Sequence, residues 1–242
     1  MNWHQRYLQQ ASWTRELRSY LFEKAGLKYA QRVLEVGCGT GAILADLSTP
    51  ASLHGLDLDP AALAECRIHA PGALLTQGNA LNLPFPDESF DITYCHFLLL
   101  WVVNPVQAVS ELKRVTRRGG SILALAEPDY TGRIDRPREL SLLGRWQAES
   151  LRRQGADPSF GGQLAETFHK AGINLIETGP IQSQEKMRSV EERKQEWDVL
   201  EADLAAFVPD KDIHRMKMLD EAAWENGQRV LHVPTYFAWG KT

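Results

Sequence analysis

Hydrophobic positions along this chain fall into two rhythms. Over residues 3–26, Trp3, Tyr7, Trp13, Leu17, Tyr20 and Leu21 recur at helical spacing, and Gly26 ends the run. From residue 33 onward, short apolar runs alternate with amphipathic stretches. Val33-Leu34-Glu35-Val36 reads as a buried strand, the glycines at 37, 39 and 41 as a tight loop, and Ala42–Leu47 as the first turns of a helix. Ser52–Asp57 is a second strand, and Asp59-Pro60 caps a helix running to about His69. Ala73–Gly78, Asp91–His96 and Ser121–Glu127 are further strands. Before the last of them, Val106, Val109, Leu112 and Val115 mark a helix over 105–117, which Gly119-Gly120 terminates.

Strands alternating with helices predict βαβ units and a parallel sheet, whose ligands bind beyond the carboxyl ends of the strands. The residues at those ends are Gly37–Gly41, Asp57, Gly78–Ala80, Cys95–Phe97 and Glu127–Tyr130. After Pro128 the pattern changes. Helices are expected at 138–154 and 163–171, a strand at 173–178, and helices at 188–207 and 211–227 split by Pro209. A last strand is expected over 230–239, where Pro234 favours a bulge or an edge. The gap between the final two strands is too long for a hairpin loop. The expected organisation is a single domain over 1–242: an N-terminal helical lid at 1–30, a core at 31–180 and 229–242, and a helical cap inserted at 181–228.

Composition alters this picture little. With 43% hydrophobic and 24% charged residues, the 242-residue chain has the make-up of a soluble globular protein with one sizeable core. A formal charge of −4 argues against a general binder of nucleic acid or anionic membrane. Cys38, Cys66 and Cys95 have no paired spacing, which suits reduced thiols. Met1-Asn2-Trp3-His4-Gln5-Arg6 lacks the apolar run of a signal peptide. No stretch approaches the ~20 apolar residues needed to span a bilayer. A cytoplasmic protein is expected, with no nucleic-acid or membrane partner. The histidines, among them His54, His69, His169 and His232, are scattered without ligand spacing, so no metal site is expected. Oligomeric state is not legible in the sequence.

The candidate chemistry sits in the glycine loop. Glycine reaches positive φ without steric cost and lets a ligand lie against bare backbone, and the N–H groups of a following helix start favour a polar or anionic group. A nucleotide-like ligand fits, yet Gly37, Gly39 and Ala42 also satisfy the G-x-G-x-x-G/A pattern of dinucleotide folds. Further motifs separate the two. Glu35-Val36-Gly37-Cys38-Gly39-Thr40-Gly41 is followed by Asp57 in Gly55-Leu56-Asp57-Leu58-Asp59. Then come the run from Gly78-Asn79-Ala80 through Leu83-Pro84-Phe85-Pro86-Asp87-Glu88-Ser89-Phe90-Asp91, and Leu112-Lys113-Arg114-Val115 before Arg118-Gly119-Gly120. In this order they resemble the class I S-adenosylmethionine (SAM) dependent methyltransferases that act on small molecules, of the ubiquinone-biosynthesis-like type. The resemblance covers about residues 31–127, and Arg118 stands where that family usually has proline.

The resemblance implies a Rossmann-like, doubly wound α/β fold with a mostly parallel seven-stranded sheet and helical lid insertions, and SAM as cofactor. A carboxylate accepts both hydroxyls of a ribose diol, which suits Asp57. Asn79 and the Ala80 N–H suit the adenine edge, Leu58 and Leu81 its two faces. Gly37, Cys38, Gly39 and Gly41 would admit the amino-acid tail. Glu35 would orient either the loop or the ligand's ammonium group, with Cys95 and His96 beside that group or the reactive methyl. Arg18 is the first choice for the cofactor carboxylate. His96 is the first candidate for a general base, ahead of Asp129, Tyr130 and Glu127. Tyr7, Trp101, Asp129 and Tyr130 are the expected substrate contacts. The expected reaction is methyl transfer to an O, N or C nucleophile of a small-molecule acceptor. The competing readings are a non-catalytic SAM-binding module and an NAD(P)-dependent oxidoreductase. The latter shares the glycine loop but has no equivalent of the 78–91 run.

Overall fold

The computed structural model describes residues 3–181 and 189–242. Met1, Asn2 and residues 182–188, which fall in the expected lid and cap, lie outside the described residues. The N-terminal helical run breaks in two at Thr14, giving α1 (Trp3–Trp13) and α2 (Arg15–Lys24). The strand β1 (Arg32–Val36) is buried along Val33–Val36. The stretch after the glycine loop is a 3-10 turn at Leu44–Asp46, not the expected helix. Ser48-Thr49-Pro50 follow at once, and the residue before a proline is driven out of the α region. Next come β2 (Ser52–Asp57) and α3 (Pro60–His69), where the Ala61 N–H donates to the Asp59 capping carboxylate at 2.8 Å. β3 (Leu74–Gln77), β4 (Phe90–Cys95), α4 (Pro105–Val115) and β5 (Thr116–Pro128) complete the motif-bearing half.

The second half holds β6 (Ile134–Arg136), α5 (Ser141–Arg153), α6 (Leu164–Lys170), β7 (Asn174–Pro180), α7 (Val190–Leu204) and α8 (Asp210–Glu225). The strand expected at 230–239 is two strands, β8 (Val230–His232) and β9 (Thr235–Lys241), divided at Pro234. Proline removes a ladder donor, so the chain changes sheet there. β8 pairs with β6, which the sequence pattern did not reveal, while β9 enters the main sheet.

That sheet has seven strands in the order β3-β2-β1-β4-β5-β9-β7, with β9 antiparallel to both neighbours and the other pairings parallel. The strand order reverses between β1 and β4, so the glycine loop and the His96 turn leave the sheet side by side, at the place where such sheets bind ligands. Apolar side chains cover both faces. Leu34, Leu56, Cys95 and Ile122 pack with α4 and α6 on one side, and Val33, Ile92, Tyr94 and Leu123 with α2 on the other. Among the described residues no helix is long and apolar enough to cross a membrane.

The cap has its own apolar core, in which Leu140 and Leu143 meet Trp197, Leu200 and Leu204 of α7 and Ile213 and Met216 of α8. Buried charge ties α8 to β6. Arg229 donates to Asp135 at 2.7 Å and to Asp220 at 2.5 Å. Asp220 also accepts from the Trp197 indole at 2.9 Å, and Asp135 accepts from Arg133 at 2.8 Å. One guanidinium thus links α7, α8 and β6. Removing one partner of such a group leaves the others buried and uncompensated. Arg229→Met is therefore expected to cost about 3–5 kcal/mol in urea unfolding, whereas an exposed substitution such as Arg118→Met should cost about 0–1 kcal/mol.

Candidate functional site

The loop 37–41 is shaped by backbone sterics. Gly37 and Gly39 have φ of 76° and 51°. A Cβ on Gly37 would sit 2.8 Å from Leu98 Cδ1, and one on Gly39 would sit 3.2 Å from the Tyr7 ring. The loop therefore tolerates no side chain at its turn and lies bare beneath α1. Its far end is fixed by Asp57, whose Oδ2 accepts the Gly39 N–H at 2.7 Å while Oδ1 accepts the Asp59 N–H at 2.9 Å. Each carboxylate oxygen keeps a further lone pair. Leu58, the next residue, is 67% exposed, an apolar side chain standing in solvent beside two polar ones. Leu81 is half-buried on the neighbouring turn. There the Asn79 carboxamide oxygen accepts the Leu81 N–H at 2.9 Å, which leaves its amide nitrogen as the donor toward a ligand.

Three charged side chains, Arg114, Glu111 and Asp91, hold the 78–91 run in place. Arg114 donates to the Leu83 and Phe85 carbonyls, both at 2.9 Å, to Asp87 at 2.8 Å and to Glu111 at 2.7 Å. Glu111 in turn accepts the Leu83 N–H at 2.7 Å. Asp91, which closes the run, accepts the Gln31 and Arg32 N–H groups at 2.8 Å. These bonds, with the Arg114 and Arg117 guanidiniums, hold the Glu111 and Asp91 carboxyls below their ordinary range despite partial burial.

At the end of β4, His96 is half-buried, with Nε2 3.0 Å from the Thr14 hydroxyl. Thr14 also accepts from Arg18 at 2.8 Å, and Arg18 donates to Asp46 at 2.8 Å and to the Ala11 carbonyl. Phe97, beside His96, holds φ at 54°, a conformation bulky residues avoid. Burial, with the Arg18 charge adding to it, pushes the His96 imidazole down to about 3. The ring is neutral at neutral pH.

The expected site residues divide accordingly. Gly37 and Gly39 leave β1 beside Asp57 and Leu58 at the end of β2, with Asn79, Ala80 and Leu81 on the turn after β3, whereas Cys38, expected to line the site, is packed against Leu44, Leu63 and Cys66. Tyr7, expected on the substrate, lies instead on Gly39, with Asp57, Asp59 and Glu65 as its charged neighbours. Arg18, expected on the cofactor carboxylate, is buried and bonded to the α1–α2 break and to Asp46. Cys95 belongs to the apolar core, and burial pushes its thiol up. Glu35 lies beneath the loop and accepts from the buried Tyr94 hydroxyl at 3.0 Å, so it supports rather than lines the site. Asp129 accepts the Thr131 N–H and hydroxyl and the Gly132 N–H at 2.6–3.1 Å, which engages it within its own turn. Glu127 accepts the Leu98, Leu99 and Leu100 N–H groups at 3.0–3.3 Å and is pushed up to about 7 by burial. It fixes the turn after β4 and is not placed to act as a base. Trp101 lies on the outside of that turn, and Tyr130 is half-buried beyond β5. Thr14 and Asp46 carry no motif and are not legible in the sequence, while Phe97 falls in the expected strand-end stretch Cys95–Phe97 without its positive φ being legible there. Arg114 was inside a quoted motif but had no assigned role.

A family model described as a methyltransferase domain matches residues 34–124. The demethylmenaquinone methyltransferase of Geobacillus kaustophilus is 30% identical over 185 residues, which is 67% of this chain and 79% of that protein. The phosphatidylethanolamine N-methyltransferase of Cereibacter sphaeroides is 40% identical over 98 residues, 38% of this chain and 48% of that protein. Several curated relatives are thus matched over about half of their length or less. The solved structure of the YcgJ protein of Bacillus subtilis has a TM-score of 0.60 at 19% identity, covering 93% of this chain and 97% of that one. It shows the shared fold.

The imidazole yields a signed prediction. As pH falls from about 6.5 toward 3, the unfolded chain takes up a proton at His96 that the folded protein excludes, so this residue's contribution to stability is lost on acidification. His96→Gln is expected to gain stability relative to the wild type as pH is lowered from 7 to 5, measured by urea unfolding at each pH. A constant difference across that range would show that the ring titrates normally.

Proposed function

The chain belongs to the class I SAM-dependent methyltransferases of the ubiquinone-biosynthesis type, and on that premise we propose that it transfers a methyl group from SAM to an O, N or C nucleophile of a small-molecule acceptor. The observation that carries this reading is the Asp57 carboxylate, bonded to the glycine loop at Gly39 and still open to two further donors, with exposed Leu58 beside it. A vicinal diol next to a flat apolar ring matches that arrangement. Asp57 holds the ribose hydroxyls, Leu58 and Leu81 cover the adenine faces, and the Ala80 N–H and the Asn79 amide meet its edge. Gly37, Gly39 and Gly41 accommodate the amino-acid tail against backbone, with Tyr7 closing over it. Bound SAM supplies a methyl group on a sulfonium, open to in-line displacement.

The chain's own contribution is alignment and exclusion of water. α1 lies over the glycine loop through Tyr7, and α7 reaches α1 through the Glu196–Arg6 pair. His96, its imidazole pushed down to about 3 and its Nε2 against the Thr14 hydroxyl, is a poor proton acceptor as it stands, so on this reading its role is positioning. Arg18 acts at one remove, as a positioning residue for Thr14 and for the 44–46 turn. Tyr130, with burial pushing its phenol up, is the substrate-side residue nearest the cap charges.

Calorimetric titration tests the cofactor half. SAM and S-adenosylhomocysteine are expected to bind and NAD is not. Asp57→Ala should weaken both by at least about tenfold, the loss of a charged hydrogen-bond acceptor. Binding of NAD alone would overturn the assignment.

A further inference from the structure

Glu127, at the end of β5, is 0% exposed. A buried carboxylate is ordinarily paired with a cation, but the partners of Glu127 are backbone N–H groups. Oε1 accepts from Leu98 at 3.1 Å and from Leu99 at 3.0 Å, and Oε2 accepts from Leu100 at 3.3 Å. One residue earlier, the Ala126 carbonyl accepts the Phe97 N–H at 2.9 Å. The successive donors of residues 97 to 100 are thus all taken by two adjacent residues of β5. Within this clasp Phe97 holds its φ of 54°, a conformation that persists only where the surroundings impose it.

The turn so held reaches the glycine loop through Leu98. The three atoms nearest to a Cβ placed on Gly37 are Cδ1, Cδ2 and Cγ of Leu98, at 2.8–3.3 Å. Contact therefore runs from the Glu127 carboxylate, through the turn after β4, to the first glycine of the loop. An ionised carboxylate accepts hydrogen bonds more strongly than a neutral acid does. Burial pushes this carboxyl up to about 7 against the pull of its three N–H partners, so both forms are populated near neutral pH. The titratable groups facing it are Cys95 of β4, whose buried thiol stays protonated, and Tyr236, opposite on β9. Asp157 donates its backbone N–H to the Leu100 carbonyl of the same turn at 2.7 Å. The Phe160–Gln163 turn, packed on β5, adds no titratable side chain.

We propose that Glu127 is a positioning residue for cofactor binding: its carboxylate clasps the turn after β4, Leu98 on that turn holds the glycine loop in its binding form, and protonation of the carboxyl loosens both. This rests on the methyltransferase reading above and adds a regulation of the same site. The sign follows from linkage. A cofactor that favours the held loop also favours the ionised carboxyl, so affinity is full above about pH 7 and falls as pH drops through that value. Two further titratable groups lie at the loop, Glu35 beneath it and His4, whose Nδ1 is 2.8 Å from the Thr40 hydroxyl. A substitution at Glu127 leaves both in place, which separates their titration from its own.

The test is calorimetric titration of the full chain with S-adenosylhomocysteine at about pH 6 and about pH 8, either side of the Glu127 titration. The wild type is expected to bind about 3–10-fold more weakly at the lower pH, the difference between a charged and a neutral hydrogen-bond acceptor. Glu127→Gln keeps one acceptor oxygen and cannot ionise. It should bind at the higher pH at least as weakly as the wild type does at the lower, with no response to pH. Leu98→Ala keeps Glu127 but removes its contact with Gly37, and should bind weakly with a flattened response. A role confined to holding the fold would leave the pH response of Leu98→Ala intact. Where Glu127→Gln fails to fold, the wild-type profile and Leu98→Ala decide between the two. Equal wild-type affinity at both pH values, or a full pH response surviving in either variant, would overturn the proposal. Failure of the wild type to bind S-adenosylhomocysteine at either pH would strike instead at the methyltransferase reading on which it rests.

Discussion

The bond from the Gly39 N–H to Asp57 is the constraint on which the rest of the site depends. The three glycines of this loop have no side chains to hold its shape, and here no α-helix follows it to align its amides, only the 3-10 turn at Leu44–Asp46. Its form has to be imposed from outside. Asp57 does so from the end of β2, and the Arg18–Asp46 pair does so from α2. On the proposed reading the same carboxylate that pins the loop also receives the diol, and loop shape and ligand recognition then rest on one side chain. A carboxamide at 57 would keep one acceptor oxygen and turn a donor toward either Gly39 or the ligand.

The second anchor explains why the family's motifs travel together. Leu83-Pro84-Phe85-Pro86-Asp87 has two prolines and few backbone donors, so it cannot hold itself as a strand or helix. Arg114 and Glu111, one turn apart on α4, supply the missing bonds from a separate motif. Asp91 ties the same run back to the start of β1. The run after the turn at 79–82 is therefore held by α4 and β1 together, and on the proposed reading a change at Arg114 reaches the cofactor side without touching a ligand.

Where local pattern and tertiary demand agreed, the sequence was legible. The parallel strands β1–β5, the Asp59-Pro60 cap and the glycine loop follow from residues near one another in the chain. So does the resemblance that points to Asp57, Leu58 and Asn79. What was not legible depends on partners far away in sequence. Arg18 looks like a surface arginine until Asp46 and Thr14 are brought to it. Glu127 and Asp129 sit at a strand end where catalytic acids are found, but backbone N–H groups of the following turns claim them first. Tyr7 falls on the glycine loop because α1 stops at Thr14, a break without a glycine or proline to announce it. The division of the last strand at Pro234 was foreseen as an irregularity, while the small β6–β8 sheet it creates was not.

The same logic separates the two halves of the site. The cofactor half is built from backbone turns and one carboxylate, so its chemistry is written in short motifs that many relatives share. Where α1, β6, α7 and α8 meet, the buried guanidiniums of Arg6, Arg133 and Arg229 are paired with Glu196, Asp135 and Asp220. Paired charges hold a seam closed and select against charged ligands, because any ion entering must displace a partner already present.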